Sequence, residues 1–345
     1  MELTIVGAGA VGGVIGAHLA RAGHRVQLID RNRDHVEAIQ RHGLHVGGVV
    51  DFTVHVPACL PDEAAGPIHT IILAVKTLHT REALAPLVPA LSPDGCVVSM
   101  QNGLEEPKVA ALVGWPRTVG AFLTFGAYYE GPGRLVYSGP ASLRVGEPDG
   151  RITPRVLALA GVLSDFHPTE PTDNIWGFLW GKLILGTIYF ATATVDADVT
   201  EILARDENRR VLAELATEAC QVADALGVRV ESVDGFNPHA VRTDAMASPT
   251  AADAAWAAQV AYWQRGTARR AGVWRDLAIH HRKTEAEPIL GALIEAALRA
   301  GRPVPRVRAL LRIIGELEGG RRRMGWANLW EIARAGPGSS TRLPG

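Results

Sequence analysis

Gly7, Gly9 and Gly12 stand at the spacing Gly-x-Gly-x-x-Gly, directly after the apolar run 2–6 and at the opening of a helix-like stretch. A second strand-like run, 25–29, ends on the acid Asp30, with Arg31 next. Strand, glycine turn, helix, strand and terminal acid in this order make a dinucleotide-binding unit. Gly7 permits the tight turn, Gly9 a close approach of pyrophosphate to the backbone, and Gly12 close helix–strand packing. The N–H groups of Ala10, Val11 and Gly12 would open the helix toward the phosphates. Four later patterns add polar groups. Val75-Lys76 and Gln101-Asn102-Gly103 each follow a strand, where ligands of doubly wound sheets bind. Lys182, in Trp180-Gly181-Lys182-Leu183, is a lone cation in an apolar helix, and Lys283-Thr284-Glu285 closes one helix before the next. Each has a plain structural alternative. Lys76 could be a surface lysine, Asn102-Gly103 a turn, Lys182 a snorkelling side chain, and Glu285 a helix-starting charge.

Elements able to position these groups are legible along the chain. Strands are expected at 2–6, 25–29, 44–56, 69–75, 95–99 and 117–122, alternating with helices at 11–22, 33–41, 79–91 and 104–113. This pattern predicts an α/β fold: a Rossmann-like, doubly wound, mostly parallel sheet covered on both faces. The run 122–147 suggests meandering strands that extend the sheet. Alanine- and leucine-rich stretches then predict helices at 174–204, 207–226, 250–283, 285–300 and 304–319. The expected organisation is a nucleotide-binding domain over 1–170, an all-helical substrate domain over 171–325, and a tail over 326–345.

Composition sets limits on partners. With 345 residues, 47% hydrophobic and 21% charged, the chain reads as a two-domain globular protein. A net charge of -1 gives no global field for nucleic acid or anionic membrane. Cys59, Cys96 and Cys220 lack metal-ligand spacing, so no metal site is expected, and they read as reduced core residues. The apolar run 183–195 is shorter than the roughly 20 residues that span a bilayer. No membrane association and a cytoplasmic location are expected. The many tryptophans of the helical half leave a homodimer open.

Taken together, Gly7-Ala8-Gly9-Ala10-Val11-Gly12, Val75-Lys76, Gln101-Asn102-Gly103, Trp180-Gly181-Lys182-Leu183 and Lys283-Thr284-Glu285 resemble the ketopantoate reductase family. The resemblance extends over most of the chain, Arg302-Pro303-Val304-Pro305 before a last helix included. It implies a two-domain reductase with its active site in the interdomain cleft. By that likeness Lys182 is the general acid that protonates a ketone oxygen as hydride arrives from a nicotinamide. Glu285 would bind a hydroxyl or other donor of a small carbonyl substrate. Lys76 and Asn102 would hold the cofactor and the reacting end of the substrate.

The departures bear on the substrate. The family pattern usually carries Asn four and eight residues after its lysine; here these positions are Gly186 and Phe190. Its Ser-Met-x-x-Asp stretch is replaced by Gly272-Val273-Trp274-Arg275-Asp276. The hydride-transfer groups are kept, whereas Gly186, Phe190, Val273 and Trp274 predict a rebuilt substrate pocket. Asp30 suits the ribose hydroxyls of NAD(H), while Arg31 suits the extra phosphate of NADP(H), so either cofactor is open. Two other functions compete: an opine- or β-hydroxyacid-dehydrogenase-like enzyme with a larger, more apolar substrate, and a non-catalytic NAD(P)-binding protein.

Overall fold

The structure is a computed structural model that describes residues 1–139, 142–244, 248–265 and 269–336. It divides into two compact units, Met1–Trp176 and Gly177–Gly345.

The first unit is built on two sheets. Its strands are β1 (Glu2–Val6), β2 (Arg25–Ile29), β3 (Leu44–Gly48), β4 (Phe52–Val54), β5 (Ala58–Cys59) and β6 (Ile68–Leu73). They continue with β7 (Leu91–Ser99), β8 (Thr118–Thr124), β9 (Ala127–Gly131), β10 (Arg134–Tyr137), β11 (Ser142–Gly146) and β12 (Thr169–Pro171). Eight strands form the main sheet in the order β12-β11-β8-β7-β6-β1-β2-β5. Every pairing is parallel except β11 with β8. Alternation sends Leu3, Ile5, Ile72 and Val98 into one core and Val6, Ile71, Leu73 and Val97 into another. Both faces are therefore buried, as a parallel sheet requires. The covering helices are α1 (Ala10–Arg21), α2 (Arg33–His42), α3 (Thr80–Leu84), α4 (Glu106–Val113) and α5 (Pro154–Leu163).

The meander differs from expectation. Residues 44–56 form a hairpin of β3 and β4 rather than one strand, and β9 and β10 join it in a separate sheet ordered β4-β3-β10-β9. The reason is burial: Leu44, Val46, Leu135 and Tyr137 enter the same core as α1, leaving Tyr128 and Tyr129 exposed. Of the strands β9, β10 and β11, β11 alone joins the main sheet among the described residues.

Among the described residues, the regular elements of the second unit are all helices, joined by loops that hold one isolated β-bridge. Its helices are α6 (Ile175–Thr192, starting two residues before the boundary), α7 (Val199–Leu203), α8 (Asp206–Ala225) and α9 (Pro249–Arg265). Then come α10 (Gly272–Ala278), α11 (Ala286–Arg299), α12 (Pro305–Glu318) and α13 (Trp326–Arg334). By length and a mean hydropathy of 1.3, α6 could cross a membrane, yet 72% of it is buried inside the fold. The expected helix over 174–204 breaks after Thr192, where Arg270 pairs with both Asp196 and Asp198. The expected helix over 250–283 is interrupted between α9 and α10; residues 266–268 lie outside the described residues. Part of the expected tail is also a helix. Leu329, Ile332 and Ala333 of α13 bury one face, and Asn328 donates to the Thr194 carbonyl at 2.8 Å. Residues 337–345 lie outside the described residues.

Candidate active site

In the first unit the site-forming groups collect at the carboxyl ends of β1, β2, β6 and β7. β1 pairs with β2 on one side and β6 on the other, so the strand order reverses at this point of the sheet. Gly7 holds φ +95°, and a Cβ there would come within 2.8 Å of the Val75 nitrogen. A Cβ on Gly12 would come within 2.2 Å of the Gly7 oxygen, whereas one on Gly9 would meet nothing within 4 Å. The turn is thus tight on its sheet side and open above Gly9. α1 begins at Ala10 with no acidic residue in its first turn, so its N–H groups and dipole face that space uncontested. The cradle fits a dinucleotide pyrophosphate.

A histidine missed by the sequence reading fixes this turn. His35 of α2 is 1% exposed. The Gly133 N–H donates to its Nδ1 at 2.9 Å, so the ring proton sits on Nε2 and is donated to the Ala8 carbonyl, also at 2.9 Å. Asn32, the cap of α2, is the local signal: its side chain accepts from His35 N at 3.3 Å.

At the end of β2, the Asn32 N–H donates to the Asp30 carboxylate at 2.9 Å. That bond keeps the half-buried carboxylate facing the strand end. Arg31 turns elsewhere. Its guanidinium lies 3.1 Å from a His79 ring nitrogen and 3.5 Å from the Glu82 carboxylate.

Lys76 and Asn102 sit on neighbouring loops joined by a buried network. Gln101 donates to the Val75 carbonyl at 3.0 Å and to the Thr80 hydroxyl at 2.9 Å. That hydroxyl donates to Glu105 at 2.6 Å, and Lys108 donates to the other Glu105 oxygen at 2.6 Å. Lys76 is half-buried at the head of a short turn, and Asn102 is exposed beside Gly103, which holds φ +78°. The adjoining Glu106 is 1% exposed, and burial first, then Glu105, raises its carboxyl to about 8.

In the second unit, Lys182 lies on α6. Phe178, Lys182, Gly186 and Tyr189 are half-buried in a helix whose other residues from 177 to 190 are buried. Their spacing puts them on one face. Burial lowers the Lys182 ammonium to about 8, against the opposing pull of Asp234 and Glu285. Glu285 caps α11. Its position is set through Thr284, whose N–H and hydroxyl both donate to one oxygen of Glu318, at 2.9 and 2.6 Å.

Two family models match this chain: Ketopantoate reductase PanE/ApbA over residues 3–150, and its C-terminal counterpart over residues 174–318. The chain belongs to the ketopantoate reductase family. A 2-dehydropantoate 2-reductase of Pyrococcus horikoshii is 31% identical over 67% of this chain and 76% of its own length. One from Streptococcus pyogenes is 24% identical over 91% of this chain and 97% of its own length. A ketopantoate reductase structure from Ralstonia eutropha superposes with TM-score 0.78 at 27% identity, covering 93% of this chain and 99% of its own. A D-mandelate dehydrogenase solved with NADH and anilino(oxo)acetate shares the fold, with TM-score 0.79 at 22% identity and coverage of 93% and 99%. The protein is an NAD(P)-dependent oxidoreductase acting on a CH–OH group.

The positions that depart from the family pattern fall in different places. Gly186 lies on the Lys182 stripe, and a Cβ there would meet nothing within 4 Å. Phe190 does not. It is 4% exposed and stands about 80° around α6 from Lys182, at roughly 100° per residue. Tyr189 takes that place on the stripe; it donates to Gln259 at 2.6 Å and accepts from Trp263 at 3.1 Å. Val273 and Trp274 are half-buried on α10. The Arg270 guanidinium lies 4.1 Å from the centre of the Trp274 ring, and the indole N–H is buried without a partner among the described residues. Arg275 is exposed. Among the described residues no three His, Cys, Asp or Glu side chains gather as a metal-ligand set. Cys96 and Cys220 are buried and Cys59 half-buried, all as free thiols.

Proposed function

We propose that the protein reduces a 2-oxoacid whose side group is bulkier or more apolar than that of ketopantoate, with Lys182 as proton donor. The observation that carries this reading is the Lys182 stripe. A half-buried ammonium lowered to about 8 by burial, against the charges of Asp234 and Glu285, can give up its proton near neutrality. The bound nicotinamide supplies the hydride. As the C=O bond becomes CH–O⁻, the Lys182 Nζ–H stabilises the oxygen and then passes its proton to it, leaving an alcohol and a neutral amine that solvent reprotonates. Glu285 accepts a hydrogen bond from a donor group of the substrate. Lys76 and Asn102 orient cofactor and carbonyl.

The open space over Gly186 favours a larger substrate over ketopantoate, because an Asn there would fill it and offer polar contacts. A pocket without those donors selects weakly for a substrate that needs them. An opine- or β-hydroxyacid-like substrate is the second reading, supported by the same space. For the cofactor, the fixed Asp30 carboxylate favours NADH over NADPH while Arg31 stays with His79 and Glu82. The nucleotide and substrate domains proposed from the sequence, over 1–170 and 171–325, carry these two tasks. A cytoplasmic enzyme that acts as a homodimer, free of nucleic acid and membrane, completes the proposal.

The test is loss of reduced-nicotinamide absorbance with a panel of 2-oxoacids, using NADH and NADPH. Turnover is expected on 2-oxoacids with aromatic or branched side groups. Ketopantoate as clearly the best substrate would reject the rebuilt pocket, and full activity in Lys182→Ala would reject the assigned acid.

A further inference from the structure

Residues 231–233 lie directly on α6 at Gly177 and Gly181, next in sequence to its lysine. The Glu231 N–H donates to the Gly177 carbonyl at 3.0 Å. A Cβ on Gly181 would come within 2.2 Å of the Glu231 oxygen and 3.1 Å of a Val233 methyl. Gly177 and Gly181 stand one turn apart, so they form a strip without side chains where a second backbone can settle. Lys182 is the next residue. The lone glycine between Trp180 and Lys182 thus has a reason that the sequence did not disclose.

The far end of that segment is strained. Val233 and Phe236 exchange hydrogen bonds of 3.0 and 2.8 Å, closing a two-residue turn over Asp234 and Gly235. Both turn residues are left-handed, with φ +50° and +76°. Glycine accepts this readily; aspartate does so uncommonly, and such a residue persists only where its surroundings hold it. Here they do, since Val233 is 3% and Phe236 0% exposed. The Asp234 charge reaches Lys182 and outranks that of Glu285 there. It also reaches Tyr189 on the same helix and Tyr262 on α9, whose hydroxyls burial pushes up, so neither competes as an anion. Asp234 and Glu285 are the two carboxylates whose charges act on Lys182.

We propose that Asp234 is a positioning residue, a built-in counter-ion that holds the Lys182 ammonium in place and keeps it charged until the substrate oxygen takes its proton. The proposal rests on Lys182 being the acid. A desolvated ammonium alone would shed its proton too early, and a nearby anion opposes that loss. Glu285, engaged with substrate in the proposed function, cannot serve both tasks throughout turnover.

The variant to make is Asp234→Asn, because Asn tolerates the left-handed turn and removes only the charge. The first measurement, on the full chain without substrate, is the pH dependence of Lys182 acylation, read by peptide mass spectrometry. The midpoint is expected to fall by about one pH unit relative to wild type, and by less in Glu285→Gln. The second is the pH profile of kcat, whose alkaline limb should move down by the same amount. An unmoved acylation midpoint in a variant with unchanged Tm overturns the proposal, as does a change in KM alone. A moved midpoint with an unmoved kcat limb upholds the counter-ion and rejects Lys182 as the acid. Should Asp234→Asn fold poorly, Asp234→Gly meets the turn's geometry and carries the same two readouts.

Discussion

The groups proposed for cofactor and for proton transfer are built from different materials in the two units. In the first, the proposed cofactor-binding groups are mostly backbone: N–H groups of α1, a bare turn at Gly7–Gly12, and strand ends brought level by the register of β1, β2, β6 and β7. In the second the proposed groups are side chains from distant segments: Lys182 on α6 and Glu285 at the cap of α11, with Asp234 on a strained turn as the proposed counter-ion. A backbone site demands glycine at fixed intervals, because any Cβ would fill it. A side-chain site demands only that three charges converge, and chain spacing does not reveal convergence.

If this division is right, the two halves should fail separately. The largest effect is expected for Lys182→Ala. Loss of a general acid should lower kcat by about 100- to 10,000-fold while NADH and NADPH affinities, followed by fluorescence titration, stay at wild-type values. A parallel loss of cofactor affinity would end the separation. Gly12→Ala should do the reverse. Its Cβ would press within 2.2 Å of the Gly7 oxygen, and a clash of about 1–3 kcal/mol should weaken cofactor binding by roughly tenfold or more. A smaller effect tests whether side chains also matter in the first unit. Thr80→Val removes the bridge from Gln101 to Glu105, a loss of about 1 kcal/mol or roughly fivefold in cofactor Kd; Thr80→Ser should restore it.

A further change concerns stability rather than activity. Glu106 has its folded-state carboxyl raised from 4.5 to about 8. Between those values the unfolded chain has released a proton that the folded chain still holds. This group's contribution is therefore full in acid and is lost as pH climbs from about 4.5 through about 8. Chemical denaturation across that range should show a shallower decline for Glu106→Gln than for wild type.

The sequence disclosed the two units unevenly for the same reason. The nucleotide unit was legible down to strand ends, since Gly7–Gly12, Asp30, Lys76 and Asn102 all lie where an alternating α/β pattern puts them. The small sheet of β3, β4, β9 and β10 was not, because its pairing depends on Leu135 and Tyr137 sharing a core with Leu44 and Val46, some 90 residues earlier in the chain. In the helical unit, the roles expected of Lys182 and Glu285 came from resemblance, not periodicity. Asp234 was hidden in a stretch that reads only as a loop. Phe190, expected in the pocket, is buried off the Lys182 face of α6, and Tyr189 lies on that face, because angles around a helix and not residue counts decide which side chains share it. The helix α13 was lost in a terminal stretch whose Gly, Ser and Pro begin only after it.

His35 gives the small sheet a significance beyond packing. One imidazole ties the glycine turn, through Ala8, to Gly133 at the hairpin between β9 and β10. The nucleotide-binding module therefore does not end with its first strand–helix–strand, and a transplant of residues 1–30 into another scaffold would carry the glycines without their brace. The smallest portable unit runs through Tyr137, so insertions between β3 and β10 should be felt at the phosphate turn even though they lie far from it in the chain.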